Sequence, residues 1–253
     1  MIRILAATVT ALTLAASAHP AELRVISAGA VRSVVGGMIE DYSKSTGITF
    51  KFTVGPTGLL RKTIASGEPA DLIIASQELM AELEKSGKMT PGSRIDLGRI
   101  GLGVVIRDGD TAPDVSTPEA FKQTLINAKS IAYTDPKLGG TSIMHLLKIA
   151  DRFGIRDEIV RKGVLATGGN DAAARVARGE AEISVTLISE ISAAKGAKLG
   201  APLPDALQLW TVYAAAIPAN STAPNEARAF VAALTGPALR ERWVKAGWQP
   251  AGK

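Results

Sequence analysis

Gly67-Glu68-Pro69-Ala70-Asp71-Leu72-Ile73-Ile74-Ala75 is the stretch on which the fold turns. After Asp71 the run is apolar without interruption. A strand with one wet face alternates apolar and polar residues, whereas a strand covered on both faces does not. Asp71–Ala75 therefore reads as a strand buried on both sides, the habit of parallel sheets. Before it, Leu59–Ala65 reads as a short helix that ends at Gly67. After it, Gln77–Ser86 reads as a helix stopped by Gly87.

Further out the same alternation continues. Upstream, Leu23–Ser27 is a strand. Val31–Ser45 is a helix with Val34, Val35, Met38, Ile39 and Tyr42 on one face, and Ile48–Val54 is a second strand. Downstream the pattern restarts with a strand at Ile100–Arg107. Thr117-Pro118-Glu119 opens a helix with a good N-cap and a proline in its first turn. Ser130–Tyr133 is a strand, and Ser142–Phe153 a helix with Ile143, Leu146, Leu147 and Ala150 inward. Asp171–Arg178 is a helix, Ile183–Leu187 a strand and Leu207–Ile217 a long strand. Glu226–Leu234 and Pro237–Ala246 are terminal helices. Strands alternating with helices predict an α/β fold with largely parallel sheets.

Two such blocks in 253 residues predict two lobes rather than one large sheet. The chain is expected to cross between lobes near Gly101–Arg107 and near Trp210–Ile217. One lobe then comprises residues 22–100 plus 215–253, the other 101–214, with a hinge and a ligand cleft between them.

The first 21 residues read as a signal peptide. Met1-Ile2-Arg3 is a positive start, Ile4–Ala16 is apolar, and Ala16-Ser17-Ala18 suits a signal peptidase; a second cut after Ala21 fits equally. No later apolar run approaches the roughly 20 residues of a membrane helix. An exported, periplasmic protein is expected. It has no cysteine, hence no disulfide and no thiol for a lipid anchor, and must be stabilised by its core. The formal charge is +5, or +4 once Arg3 leaves with the leader. That mild excess suits a small anionic ligand. The scattered basic residues and 4% aromatic content do not make a nucleic-acid surface.

In open α/β sheets, ligands sit at the carboxyl ends of strands, where helix N-termini favour an anion. Four strand-to-helix junctions are rich in Gly, Ser and Thr. They are Ser27-Ala28-Gly29-Ala30, Gly55-Pro56-Thr57-Gly58, Asp135–Ser142 and Thr167-Gly168-Gly169-Asn170-Asp171. Any one of them is an ordinary turn. Four shared between two lobes can surround one anion. The candidate ligand-binding residues are Ser27, Gly29, Ala30, Thr57, Gly58, Gly140, Thr141, Gly169 and Asn170. No P-loop or dinucleotide fingerprint is present. With His145 the sole histidine after the leader and no cysteine, neither a zinc site nor a Ser-His-Asp triad is expected, and no cofactor is called for.

Three of these segments carry a resemblance. The Gly67–Ala75 stretch, the strand–turn–helix opening at Leu23 and the Asp135-Pro136 turn with its following helix resemble, in order, the molybdate-binding periplasmic proteins. That resemblance implies a type II periplasmic-binding fold, a monomer closing on a small anion, and delivery to an ABC-type permease. In that family, hydroxyls and backbone amides hold a tetrahedral oxyanion. A first-loop serine falls at or beside Gly29 here, a second-loop serine at Thr57 or Gly58, and a late tyrosine near Leu187. The lost hydroxyls, with Arg32, Arg61, Lys62 and Lys137 near the loops, shift the expectation toward an organic carboxylate or an altered oxyanion. The Ser27–Val31 opening and Tyr213–Ala216 also resemble a divergent branch that includes aconitate isomerase, an exported enzyme that shifts a proton and a double bond on a tricarboxylic acid. The catalytic residue such a reaction needs is unknown from sequence; Lys62, Tyr133, Asp135, Lys137, His145 and Tyr213 are all candidates.

Overall fold

The computed structural model describes residues 22–251, so the expected leader lies outside the described residues. In chain order the first lobe runs β1 (Glu22–Ala28), α1 (Arg32–Val35), α2 (Ile39–Thr46), β2 (Thr49–Gly55), α3 (Thr57–Ala65), β3 (Leu72–Ser76), α4 (Gln77–Lys85) and β4 (Ile95–Ile100). The second runs β5 (Leu102–Arg107), α5 (Pro118–Asn127), β6 (Ile131–Thr134), α6 (Thr141–Phe153), α7 (Arg156–Arg161), β7 (Gly163–Ala166), α8 (Gly169–Ala177), β8 (Ile183–Leu187), α9 (Ile188–Ser192) and β9 (Ala197–Pro202). The chain then returns through β10 (Thr211–Ala216), α10 (Pro224–Thr235) and α11 (Arg240–Lys245).

Two five-stranded sheets result, ordered β2-β1-β3-β10-β4 and β7-β6-β8-β5-β9. Each has three parallel strands followed by two in antiparallel pairing. The sheets are therefore mixed rather than largely parallel. All five residues of β3 are buried, as its unbroken apolar run requires.

The single strand expected at Ile100–Arg107 is two strands in different sheets, divided at Gly101. The return crossing is stitched to this point. The Leu102 amide donates to the side-chain Oε1 of Gln208 at 2.7 Å, and Gln208 Nε2 donates to the Leu102 carbonyl at 3.0 Å. The expected long strand Leu207–Ile217 is shorter, because Asp205–Leu207 form a 3-10 turn before β10 begins. β10 pairs with β4 over Thr211–Ala215 and with β3 over Tyr213–Ala216, so Thr211–Ala214 join the first sheet although the sequence reading placed them with the second. The expected helix Val31–Ser45 breaks at Gly36-Gly37, where two glycines remove helix propensity. Strands β7 and β9 were not foreseen. They are edge strands, mostly unburied, and lack the apolar signal of central strands.

Asp71, which opens the decisive strand, is a structural lock. It is fully buried and accepts both arms of the Arg24 guanidinium at 2.8 and 2.9 Å. It also accepts from the Thr222 amide at 2.9 Å and the Ser221 hydroxyl at 3.1 Å. The carboxylate thus ties the C-terminal segment back to the first lobe. There Phe230 of α10 packs edge-on against Tyr42, with ring centroids 5.2 Å apart.

Candidate functional site

A cleft of about 200 Å³ lies between the lobes and is lined from all four Gly-rich junctions. Three helices begin at it: α3, α6 and α8. Their N-cap positions are Pro56, Gly140 and Gly168, and none has a side-chain cap. By contrast Thr117, away from the cleft, caps α5 through its hydroxyl at 3.1 Å. Apart from the Gly58 amide, which is engaged across the lobes, first-turn amides of three helices are thus left for whatever enters the cleft, which makes it a natural anion site.

The lobes touch across it. The Asn170 amide donates to the Gly29 carbonyl at 3.3 Å, and the Thr57 and Thr141 hydroxyls stand 3.4 Å apart. The Gly58 amide donates to the Gly139 carbonyl at 3.2 Å. The arrangement is a closed one.

Of the nine candidate residues, Gly29, Ala30, Thr57, Gly140, Thr141, Gly169 and Asn170 line the cleft. Ser27 does not. It sits inside the β1 ladder, 2% exposed, with its hydroxyl on the Ala28 carbonyl at 3.1 Å. Gly58 is likewise a lobe-to-lobe contact rather than a wall residue. Arg32 is the basic residue of the lining, and no carboxylate pairs with it among the described residues. Arg61 forks Glu82 at 2.9 Å through each of two nitrogens, while Lys62 and Lys137 lie off the lining.

The candidate acid–base residues separate in the same way. Asp135 caps the 3-10 turn at the Lys137 amide. Tyr133 points its hydroxyl at the Ile159 carbonyl, and His145 donates from Nε2 to the Leu207 carbonyl at 2.8 Å. Tyr213 alone lines the cleft. A bulge in the β10–β4 pairing falls between Tyr213 and Ala214. Burial, and then the nearby Glu190 carboxyl, push the Tyr213 phenol well above its usual range, so it keeps its proton.

Glu190 is the residue the sequence reading missed. It is 7% exposed on the cleft lining, where α9 leaves the end of β8. The Thr186 hydroxyl bonds its Oε2 at 2.5 Å. Its Oε1 faces Gly29 of the other lobe, where an added Cβ would stand 3.2 Å away. At Gly169 an added Cβ would collide with Oε2 itself, so glycine is required there by the approach of the carboxyl. Burial pushes Glu190 up to about 6, against the opposing pull of the Thr186 hydroxyl and Leu187 amide. No cation pairs with it among the described residues. A search for Gly-rich junctions passes over Leu187-Ile188-Ser189-Glu190; its one signal is an acidic residue in an otherwise apolar and small strand-to-helix turn.

Residues 23–249 match the family model of bacterial extracellular solute-binding proteins. The chain belongs to that family. This solute-binding protein is 29% identical, over 90% of its length and 87% of the relative's, to an aconitate isomerase from a Pseudomonas species. Its fold is that of the type II periplasmic binding proteins. The periplasmic molybdate-binding protein of Azotobacter vinelandii superposes with a TM-score of 0.72 at 19% identity, covering 91% of this chain and all of the other. The sulfate-binding protein of Mycobacterium tuberculosis gives 0.68 at 17%, covering 91% and 87%. No cluster of three or more potential metal-ligating side chains forms among the described residues.

Proposed function

We propose that this periplasmic protein closes its cleft on a small polycarboxylate and shifts a proton along it, as an aconitate isomerase. One observation carries the reading: an unpaired carboxyl, Glu190, sits in an otherwise anion-attracting cleft. A carrier of a multiply charged anion gains nothing from a like charge beside its ligand. A proton-transfer enzyme needs a base with a value near working pH, and burial supplies one. The likeness to the Pseudomonas isomerase supports the same reading.

In this mechanism Arg32, the Thr57 and Thr141 hydroxyls and the three helix starts hold the carboxylates. Glu190 takes a proton from the methylene carbon of aconitate. The electron pair spreads over the allylic system and into the adjoining carboxylates, which the amides stabilise. The proton is returned to the former vinylic carbon, and the double bond moves by one position. Tyr213, protonated throughout, donates a hydrogen bond to the developing negative charge.

Purified protein mixed with trans-aconitate, followed by separation of the two isomers, tests this. Turnover in the parent and its loss in Glu190→Gln are expected. Absence of turnover in the parent, with one-to-one binding of a tricarboxylate, would leave a carrier that hands its anion to an ABC-type permease. Family membership favours that second reading.

A further inference from the structure

The turn after α11 reaches the cleft residues from behind. The chain reverses at Gly247, with a φ of 85°, and Gln249 then bridges to Arg99, whose neighbours form β4. The Gln249 amide donates to the Arg99 carbonyl at 2.9 Å, and the Arg99 amide donates to the Gln249 carbonyl at 2.8 Å. Trp248 lies between these fixed points and is 3% exposed.

Its indole is held from three directions. Trp243 packs edge-on against it with ring centroids 4.9 Å apart, and Trp243 is itself tied through Nε1 to the Leu234 carbonyl at 2.8 Å. Gly98 of β4 lies beside it, where an added Cβ would stand 3.2 Å from Cε3. Tyr213 is the third neighbour, edge-on to the indole with centroids 5.6 Å apart and ring planes at 71°. Gly98 is also the ladder partner of Tyr213, and the bulge after Tyr213 interrupts the alternation of β10, a device that re-aims a side chain. The Trp248 indole N–H is buried without a hydrogen bond. A phenylalanine would avoid that cost, so what the larger ring gains here is contact, and its contacts are Tyr213 and Trp243. The same turn meets the helix of Glu190. An added Cβ at Gly247 would stand 2.5 Å from Cγ2 of Ile188, the first residue of α9 and two before Glu190. One turn of the first lobe thus backs both Tyr213 and the start of the Glu190 helix.

We infer that Trp248 is a positioning residue, which holds the Tyr213 phenol in register with the Glu190 carboxyl in the closed arrangement. The inference rests on the isomerase reading, in which Tyr213 donates to the developing negative charge. Such a donor stabilises the transition state most when it is already in place and need not reorganise. A ring clamped by Trp243, by Gly98 and by a bridged backbone is a rigid backstop for the phenol. Trp248 is not part of the cleft lining, so it acts through Tyr213 and touches no substrate. Arg32, the threonine hydroxyls and the helix starts supply binding, and they lie apart from it. Trp248 should therefore govern kcat and leave affinity alone.

The test uses the mature chain with trans-aconitate as substrate. Tricarballylate, a saturated tricarboxylate with no double bond to move, is the affinity probe in calorimetry. Trp248→Phe keeps an aromatic edge and should lower kcat about threefold; Trp248→Leu loses the aromatic pair and should lower it about tenfold. KM and tricarballylate affinity should stay within about twofold of the parent in both. In a Tyr213→Phe background, on the residual turnover that Glu190 supports, Trp248→Leu should cost less than about twofold, because no hydroxyl is left to position. Trp248→Phe retains most of the buried ring and carries the same comparisons if Trp248→Leu does not fold. Parent-like kcat in the variants overturns the proposal. So does a loss of affinity that matches the loss of kcat, or a loss that persists undiminished without the Tyr213 hydroxyl. A parent without turnover overturns the isomerase reading, and this assignment with it.

Discussion

The Thr186 hydroxyl donates a 2.5 Å hydrogen bond to Oε2 of Glu190, the acceptor being a carboxyl with no cationic partner among the described residues. That bond favours the ionised form and holds the carboxyl below the value burial alone would set. Thr186→Val, close in shape but unable to donate, should raise Glu190 further. The acidic limb of the pH profile of aconitate turnover should then move to higher pH. An unmoved limb would show that the bond does not tune the base.

Glu190 also weighs on stability. Its value of about 6 lies above the 4.5 of an ordinary glutamate, so the folded chain holds the proton more tightly than the unfolded one. Stability is lost as pH rises from about 4.5 through 6, by about 2 kcal/mol in total. Glu190→Gln should therefore melt higher than the parent above pH 6, about level with it below pH 4.5, and turn over no substrate. Thermal melts across this range check the sign.

Asp71 behaves in the opposite sense. Burial pushes its carboxyl up, but the Arg24 fork and the amides of Arg24 and Thr222 outweigh it and hold it far below the usual carboxylate range. Its contribution is present above the ordinary aspartate value and is lost as pH falls beneath it. Asp71→Asn leaves Arg24 unpaired beside a buried amide and should cost about 3 kcal/mol. Urea midpoints at neutral pH measure the loss.

Closure depends on Gly58. A Cβ there would meet the Leu138 carbonyl oxygen at 2.5 Å and Gly139 Cα at 3.0 Å, both backbone atoms of the other lobe. Gly58→Ala should fold normally and close incompletely. Tricarboxylate affinity should fall at least tenfold, and ligand should no longer shrink the radius of gyration in solution scattering. Parent-like affinity would mean that the contact is incidental.

Much of the architecture was legible in the residues. Asp71–Ala75, Ile183–Leu187 and Ser142–Phe153 carry their burial as local periodicity, and each forms the element expected. Seven of nine candidate residues reach the cleft because strand-to-helix junctions rich in Gly and Thr are local features as well. The edge strands β7 and β9 left no such record, since little of either is covered. Ser27 was misplaced because its neighbours in β1 do not reveal that its hydroxyl turns to its own backbone.

The sequence by itself determined an α/β chain of two lobes with glycine-rich turns suited to an anion, because those properties follow from periodicity and turn chemistry over a few residues. Only the tertiary structure decided that Gly101 separates two sheets, that β10 belongs to the first of them, and that Glu190 meets Gly29 and Gly169 in one cleft. Those relationships join segments up to 161 residues apart. The same burial that brings them together removes the water around the carboxyl and makes it a candidate base.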